Sequence, residues 1–137
     1  MLEENKALAR RVLEDLVVKM DLEKIDEYFA ADVIVHVPFL EMPPGRQGIR
    51  QLYSSFPDAI ADVDLRFEDQ IAEGDRVVTR WSSSFTHTGD LFGVPATGKS
   101  VKQSGIMIYR IRDGKVVEQW AEANMWGLMR QLGAIPS

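Results

Sequence analysis

Along residues 3–20 the apolar side chains of Leu8, Val12, Leu13, Leu16, Val17 and Met20 recur at helical spacing, leaving Glu4, Arg11 and Asp15 for solvent. That period predicts an amphipathic helix with one buried stripe. Asp21 is placed to cap a second, shorter helix through Ile25, Tyr28 and Phe29, its carboxylate accepting from the free amides of the first turn. The run VIVHV, residues 33–37, then reads as a strand stopped by Pro38. A loop rich in Pro and Gly, PFLEMPPGRQG, leads into a third helix around residues 49–56 that ends near Pro57.

Beyond Pro57 the period changes to two. Val63, Leu65 and Phe67 alternate with Asp62, Asp64 and Arg66, as in a strand with one wet face. EGDR turns the chain into VVTRWSSSFTHT; the Gly-rich GDLFGVPATGKS separates that run from VKQSGIMIYRI, and RDGK makes a tight turn into VVEQWAEA. Helices with one short strand, then long antiparallel strands and a terminal helix, make an α+β fold: a curved sheet with helices on one face. No internal repeat occurs.

Composition narrows the partners. The 137 residues suit one domain, 1–137, with a single core. A formal charge of −5 argues against nucleic acid, which needs clustered Lys and Arg. Small molecules or a second copy of the chain are the expected partners. No cysteine is present, which removes disulfides, thiolate nucleophiles and zinc-thiolate sites and suits a cytoplasmic location. MLEENKALARR is charged and helical in character, and no run of 18 apolar residues occurs, so no membrane partner is expected.

Strand alternation puts Glu118, Trp120, Glu122 and Asn124 on one face and Gln119, Ala121 and Ala123 on the other. The first set suits either a cavity wall, apolar with a few placed polar groups, or a solvated sheet edge. His36 shares a strand face with Ile34, opposite Val33, Val35 and Val37; it could serve as a general base or simply fill space with one hydrogen bond. His87, at the end of a strand in FTHTG, could equally make a loop hydrogen bond. No His-x-x-x-His pair or acidic cluster at ligand spacing accompanies either histidine, so no metal is expected. The serines of WSSSF lack an elbow motif, and GVPATGKS lacks the spacing of a phosphate loop and feeds a strand.

FPDAI, EGDRVVTRW, THTG, GVPATGKSV, YRIRDGKVVEQW and GLMRQLGAIP, in that order, resemble the SnoaL-like ester cyclase family of the nuclear transport factor 2-like superfamily over nearly the whole chain. The resemblance implies a conical α+β barrel, a bent sheet wrapping a deep apolar pocket closed by amino-terminal helices, usually in a homodimer. It also implies an intramolecular aldol closure of a small polyketide methyl ester with neither metal nor cofactor. The family's acid–base carboxylate stands four residues beyond the tryptophan of EQW, and that position here is Asn124. An amide can hydrogen-bond an enolate oxygen but cannot abstract the carbon-bound proton. Similarity to ketosteroid isomerase, which shares the fold, puts Val37 and Met107 where that enzyme keeps its two functional carboxyls, so its route is absent.

On this resemblance the base falls to His36, which matches a histidine common before the proline in the family, or to Glu122, which an apolar wall beside Trp120 would favour as a proton acceptor. Arg80, Trp81 and His87 match the family's RW and THTG elements and are expected at the pocket edge or in the scaffold. Tyr28, Gln103 and Tyr109 are candidate polar groups of the pocket. Three readings follow: a cofactor-independent enzyme on a small apolar carbonyl compound, a binding module that kept the pocket and lost the chemistry, and a dimeric scaffold associating through Ile106 and Ile108.

Overall fold

The computed structural model describes residues 1–38 and 40–136; Phe39, within the expected loop, and Ser137 lie outside the described residues. Helix α1, Leu2–Leu13, buries Leu8, Ala9, Val12 and Leu13. The expected single helix to residue 20 instead widens into a π-helical turn, Glu14–Val18, where Lys19 N–H donates to the Glu14 carbonyl at 3.0 Å. Met20, at φ 54°, ends it. A 3₁₀ turn, Leu22–Lys24, precedes α2, Ile25–Tyr28. Asp21 makes no side-chain cap there; only its carbonyl is used, accepting from Lys24 N–H at 3.2 Å.

Strand β1, Phe29–His36, begins earlier than the valine run indicates. Helices α3, Arg46–Ser54, and α4, Phe56–Ala59, follow, with Pro57 tolerated in the first turn of α4, where its missing N–H costs nothing. The long strands are β2, Ile60–Glu73; β3, Arg76–His87; β4, Ser100–Arg112; and β5, Lys115–Ala123. Helix α5, Met125–Leu132, closes the described chain.

The five strands form one open, curved sheet in the order β1-β5-β4-β3-β2. Neighbours among β2 to β5 are antiparallel, whereas β1 adds to the edge of β5 in parallel, so the sheet is mixed rather than wholly antiparallel. The turn between β4 and β5 rests on Asp113 and Gly114, both at positive φ (52° and 75°), the geometry that a two-residue hairpin demands. The main core forms where α1, α2 and α3 cover the inner face, around Phe29, Val33, Val77, Tyr109, Ile111 and Val116. A second cluster joins Phe85, Leu91 and Val101 to Leu128 and Leu132 of α5.

One irregularity decides which residues of β5 face inward. Ile111 pairs with Val116 but Arg110 pairs with Glu118, so Val117 is an extra residue in β5. Such a bulge reverses the alternation beyond it. Val116 is buried on the inner face, and after the bulge Gln119, Ala121 and Ala123 share that face, while Glu118, Trp120 and Glu122 turn outward.

Candidate functional site

Between the helices and the sheet lies a cavity of about 120 Å³. Leu13 and Val17 line it from the amino-terminal helix, Leu52, Tyr53 and Phe56 from α3 and α4, and Val63, Leu65, Phe85 and Met107 from the sheet, with Leu91 and Phe92 from the loop after β3. Ala121 and Ala123 contribute too little bulk to fill the space opposite them. Its polar side chains are the neutral Tyr53, Trp81, Ser83 and Gln103, with Glu122 at its border. Gln103 donates from Nε2 to the Met125 sulfur at 3.4 Å. Gly105 gives the Trp81 indole its place, because a Cβ there would stand 2.5 Å from Trp81 Cζ2 and 2.6 Å from the Glu122 carbonyl oxygen.

Of the residues singled out in the sequence, Trp81 and Gln103 line this hollow. Tyr109 is fully buried behind it, one step along β4 from Met107 on the same face. The structure does not bring the three residues proposed for chemistry together inside. His36 lies on the outer face because Val33, Val35 and Val37 occupy the inner one; its side chain is 46 % exposed, and Nε2 meets Glu118 Oε2 at 2.8 Å. Trp120, its register partner, stacks on it with ring centroids 5.3 Å apart and has the guanidinium groups of Arg76 and Arg110 over its ring, 5.4 and 5.8 Å from the centroid. The expectation that Trp120 walls the cavity is therefore corrected: the bulge turns it outward.

Glu122 borders the hollow, yet it is exposed and belongs to the outward set, so no apolar wall encloses it. Asn124 caps α5, its Oδ1 accepting from Gly127 N–H at 2.9 Å, and is likewise exposed. It borders shallow polar depressions of the outer face rather than the hollow.

The remaining candidates serve the scaffold. Arg80 is outward and holds Asp69 through two nitrogens, Nε to Oδ1 at 3.1 Å and Nη2 to Oδ2 at 3.0 Å. Tyr28 is buried under α1, with its hydroxyl donating to Asp15. His87 is fully buried in the loop that follows it: Nδ1 accepts from Thr97 N–H at 3.2 Å, leaving Nε2 to donate to the Val94 carbonyl at 3.2 Å. Sequence reasoning missed Tyr53, Ser83 and Gln119. The smallness of Ala121 and Ala123 beside Gln119 was the available signal, since small side chains on one strand face leave room.

The family model for SnoaL-like polyketide cyclases matches residues 7–132. The chain belongs to that family. Solved structures similar to this SnoaL-like chain include TsrD from Streptomyces laurentii, 27% identical, with a TM-score of 0.87 and 97% of each chain covered. AclR from Streptomyces galilaeus, a proposed hydroxylase, is 30% identical with a TM-score of 0.87, over 100% of this chain and 85% of its own. IdmH from Streptomyces antibioticus, a proposed polyketide cyclase, is 28% identical with a TM-score of 0.79, over 94% of this chain and 98% of its own. No curated protein matches. No helix among the described residues is long and apolar enough to cross a membrane.

The SnoaL-like interior leaves a measurable mark on its tyrosines. Burial pushes the Tyr53 hydroxyl up to about 12 and Tyr109 well above the usual 10.0, and burial with the Asp15 hydrogen bond raises Tyr28 to about 12. The folded state thus keeps protons that the unfolded chain releases near 10.0. The resulting stability is intact below that pH and is lost as pH rises toward about 12. A spectrophotometric titration should show almost no tyrosinate at pH 10 in the folded protein and about half ionisation of the three tyrosines on adding urea, with the urea midpoint falling as pH rises further.

Proposed function

We propose that this chain takes a small, largely apolar carbonyl compound into the hollow and promotes ring closure, or a related proton transfer, chiefly by holding the compound folded. The supporting observation is the lining: apolar side chains with neutral Tyr53, Trp81, Ser83 and Gln103, and Glu122 as the one carboxylate among the described lining residues. Confinement that brings two reacting carbons of one molecule together lowers the barrier without an acid or base, and neutral donors can stabilise developing charge on oxygen. The reading calls on no cofactor. The cyclase and hydroxylase descriptions of AclR and IdmH are consistent with a ring-shaped polyketide as ligand.

A second reading, ligand binding without turnover, is favoured by Asn124, whose amide is committed to the α5 cap. The two separate cleanly with a polyketide methyl ester carrying an aldol-competent chain. Positioning predicts weak wild-type turnover that Ala121→Trp, which fills the hollow, abolishes, while Glu122→Gln changes it less than about threefold. A loss of about 100-fold in Glu122→Gln would instead assign general-base work to that carboxylate. Binding without wild-type turnover, with activity appearing in Asn124→Asp, would establish the second reading, because aspartate caps a helix as well as asparagine does.

The outer sheet face supports a homodimer. Ile71, Val78, Ile108, Trp120 and His36 stand in register across all five strands. Charged side chains flank this row, Arg76, Arg110 and Glu118 on one side and Asp69, Arg80 and Glu122 on the other, with Ile106 exposed among them. A two-fold axis through such a face would set unlike charges against each other around an apolar centre. Sedimentation should give twice the protomer mass, and Ile106→Asp should give the protomer; a monomeric wild type at high micromolar concentration would remove this proposal.

A further inference from the structure

The described interior holds three buried polar or charged residues, Thr79, His87 and Gln119. Two are satisfied within the fold: Thr79 Oγ1 accepts from Gln70 Nε2 at 3.0 Å, and His87 uses both ring nitrogens in its own loop. Gln119 is different. It is 0 % exposed, and neither its Oε1 nor its Nε2 has a hydrogen-bond partner among the described residues. The Tyr109 hydroxyl, 1 % exposed, makes no well-formed hydrogen bond among the described residues and has only the Tyr53 hydroxyl near it. Leaving such groups unmet is destabilising, and here they stand together: Tyr109 and Gln119 are direct cross-strand partners on the inner face of β4 and β5.

Their position relates them to the hollow. The next inward pair along the same two strands is Met107 with Ala121, and both line the cavity. Tyr53 lines it from the opposite, helical side, and its hydroxyl acts electrostatically on that of Tyr109. Phe29 closes the far side, edge-on to Tyr109 with ring centroids 6.3 Å apart. Among the described residues the ionisable group acting on Tyr109 is Tyr53.

We propose that Tyr53, which lines the cavity, and Tyr109 and Gln119, which lie just beneath its lining, together receive one neutral oxygen, a carbonyl or hydroxyl, of an otherwise apolar ring compound. This deepens, and rests on, the reading of the hollow as a ligand site. Two hydroxyls and an amide supply donors for a carbonyl oxygen and, in Gln119 Oε1, an acceptor for a ligand hydroxyl. A carboxylate is excluded by the same inventory, for no cation stands there to offset its desolvation. Set against one side of an apolar cavity, the trio fixes which way round a ligand sits.

The test compares 1-tetralone with tetralin, which has the same bicyclic shape without the oxygen, by calorimetric titration of wild type, Gln119→Leu and Tyr109→Phe. Each variant should lose about tenfold in tetralone affinity relative to its own tetralin affinity, the worth of one neutral hydrogen bond. Without ligand both variants should melt at or above the wild-type temperature, since an apolar replacement relieves an unmet polar group. An unchanged ratio in both variants overturns the proposal, as does a clear fall in melting temperature, which would mean that the polar atoms are already satisfied inside the fold or by a trapped solvent molecule. Should Gln119→Leu not fold, Tyr109→Phe alone decides. Failure of wild type to bind either compound would overturn the ligand site itself, whereas tetralin binding with an unchanged ratio sinks only the polar trio.

Discussion

The extra residue at Val117 is the constraint on which the arrangement of this molecule depends. Pairing of Ile111 with Val116 and of Arg110 with Glu118 forces a reversal of side-chain parity within β5. Before the bulge Val116 points into the core; after it, Gln119, Ala121 and Ala123 do. A β5 of uninterrupted alternation would carry Glu118, Trp120 and Glu122 inward on the same face as Val116, setting two carboxylates against the apolar floor of α1 and α3. Burying them unpaired would cost several kcal/mol each.

Two surfaces of opposite character follow from that reversal. Inward, small side chains on β5 leave room beneath Leu13, Val17 and Leu52, and Gly105 lets the Trp81 indole lie against the strand. Outward, Glu118 joins His36 to Arg110 while Trp120 lies among them as a flat apolar centre. Proton-transferring side chains are thus concentrated on the outer face, and the interior keeps neutral hydrogen-bonding groups. In this member of the SnoaL-like polyketide cyclase family, that division is the ground for the proposal that shape and neutral donors act on the ligand.

Much of the fold was legible because it rests on period. The helical stripe from Leu8 to Val17, the alternation of Val63, Leu65 and Phe67, and the Asp113-Gly114 turn each carry a local signal that the structure repeats. The π-helical turn was hidden, since Glu14 to Val18 keep helical spacing whether the backbone closes at four residues or five. Parallel addition of β1 was hidden too, because pairing direction is a property of topology and not of composition. At the site the two alternating sets of β5 were separable in sequence, but which set faced in was not: only the register across β4 reveals the bulge. The cap that Asn124 makes, an amide at the start of a helix with Gly127 three residues on, is a local signal that the strand pattern before it masks.

The facing of β5 can be measured directly, because the chain has no cysteine of its own. Single Ala121→Cys and Glu122→Cys proteins should be treated with a bulky maleimide under folded conditions, and the labelling rates compared with those in urea. The thiol at 122 should react about as fast folded as unfolded, and the thiol at 121 should be slowed about tenfold or more by folding. Rapid labelling at 121 with protection at 122 would contradict that facing.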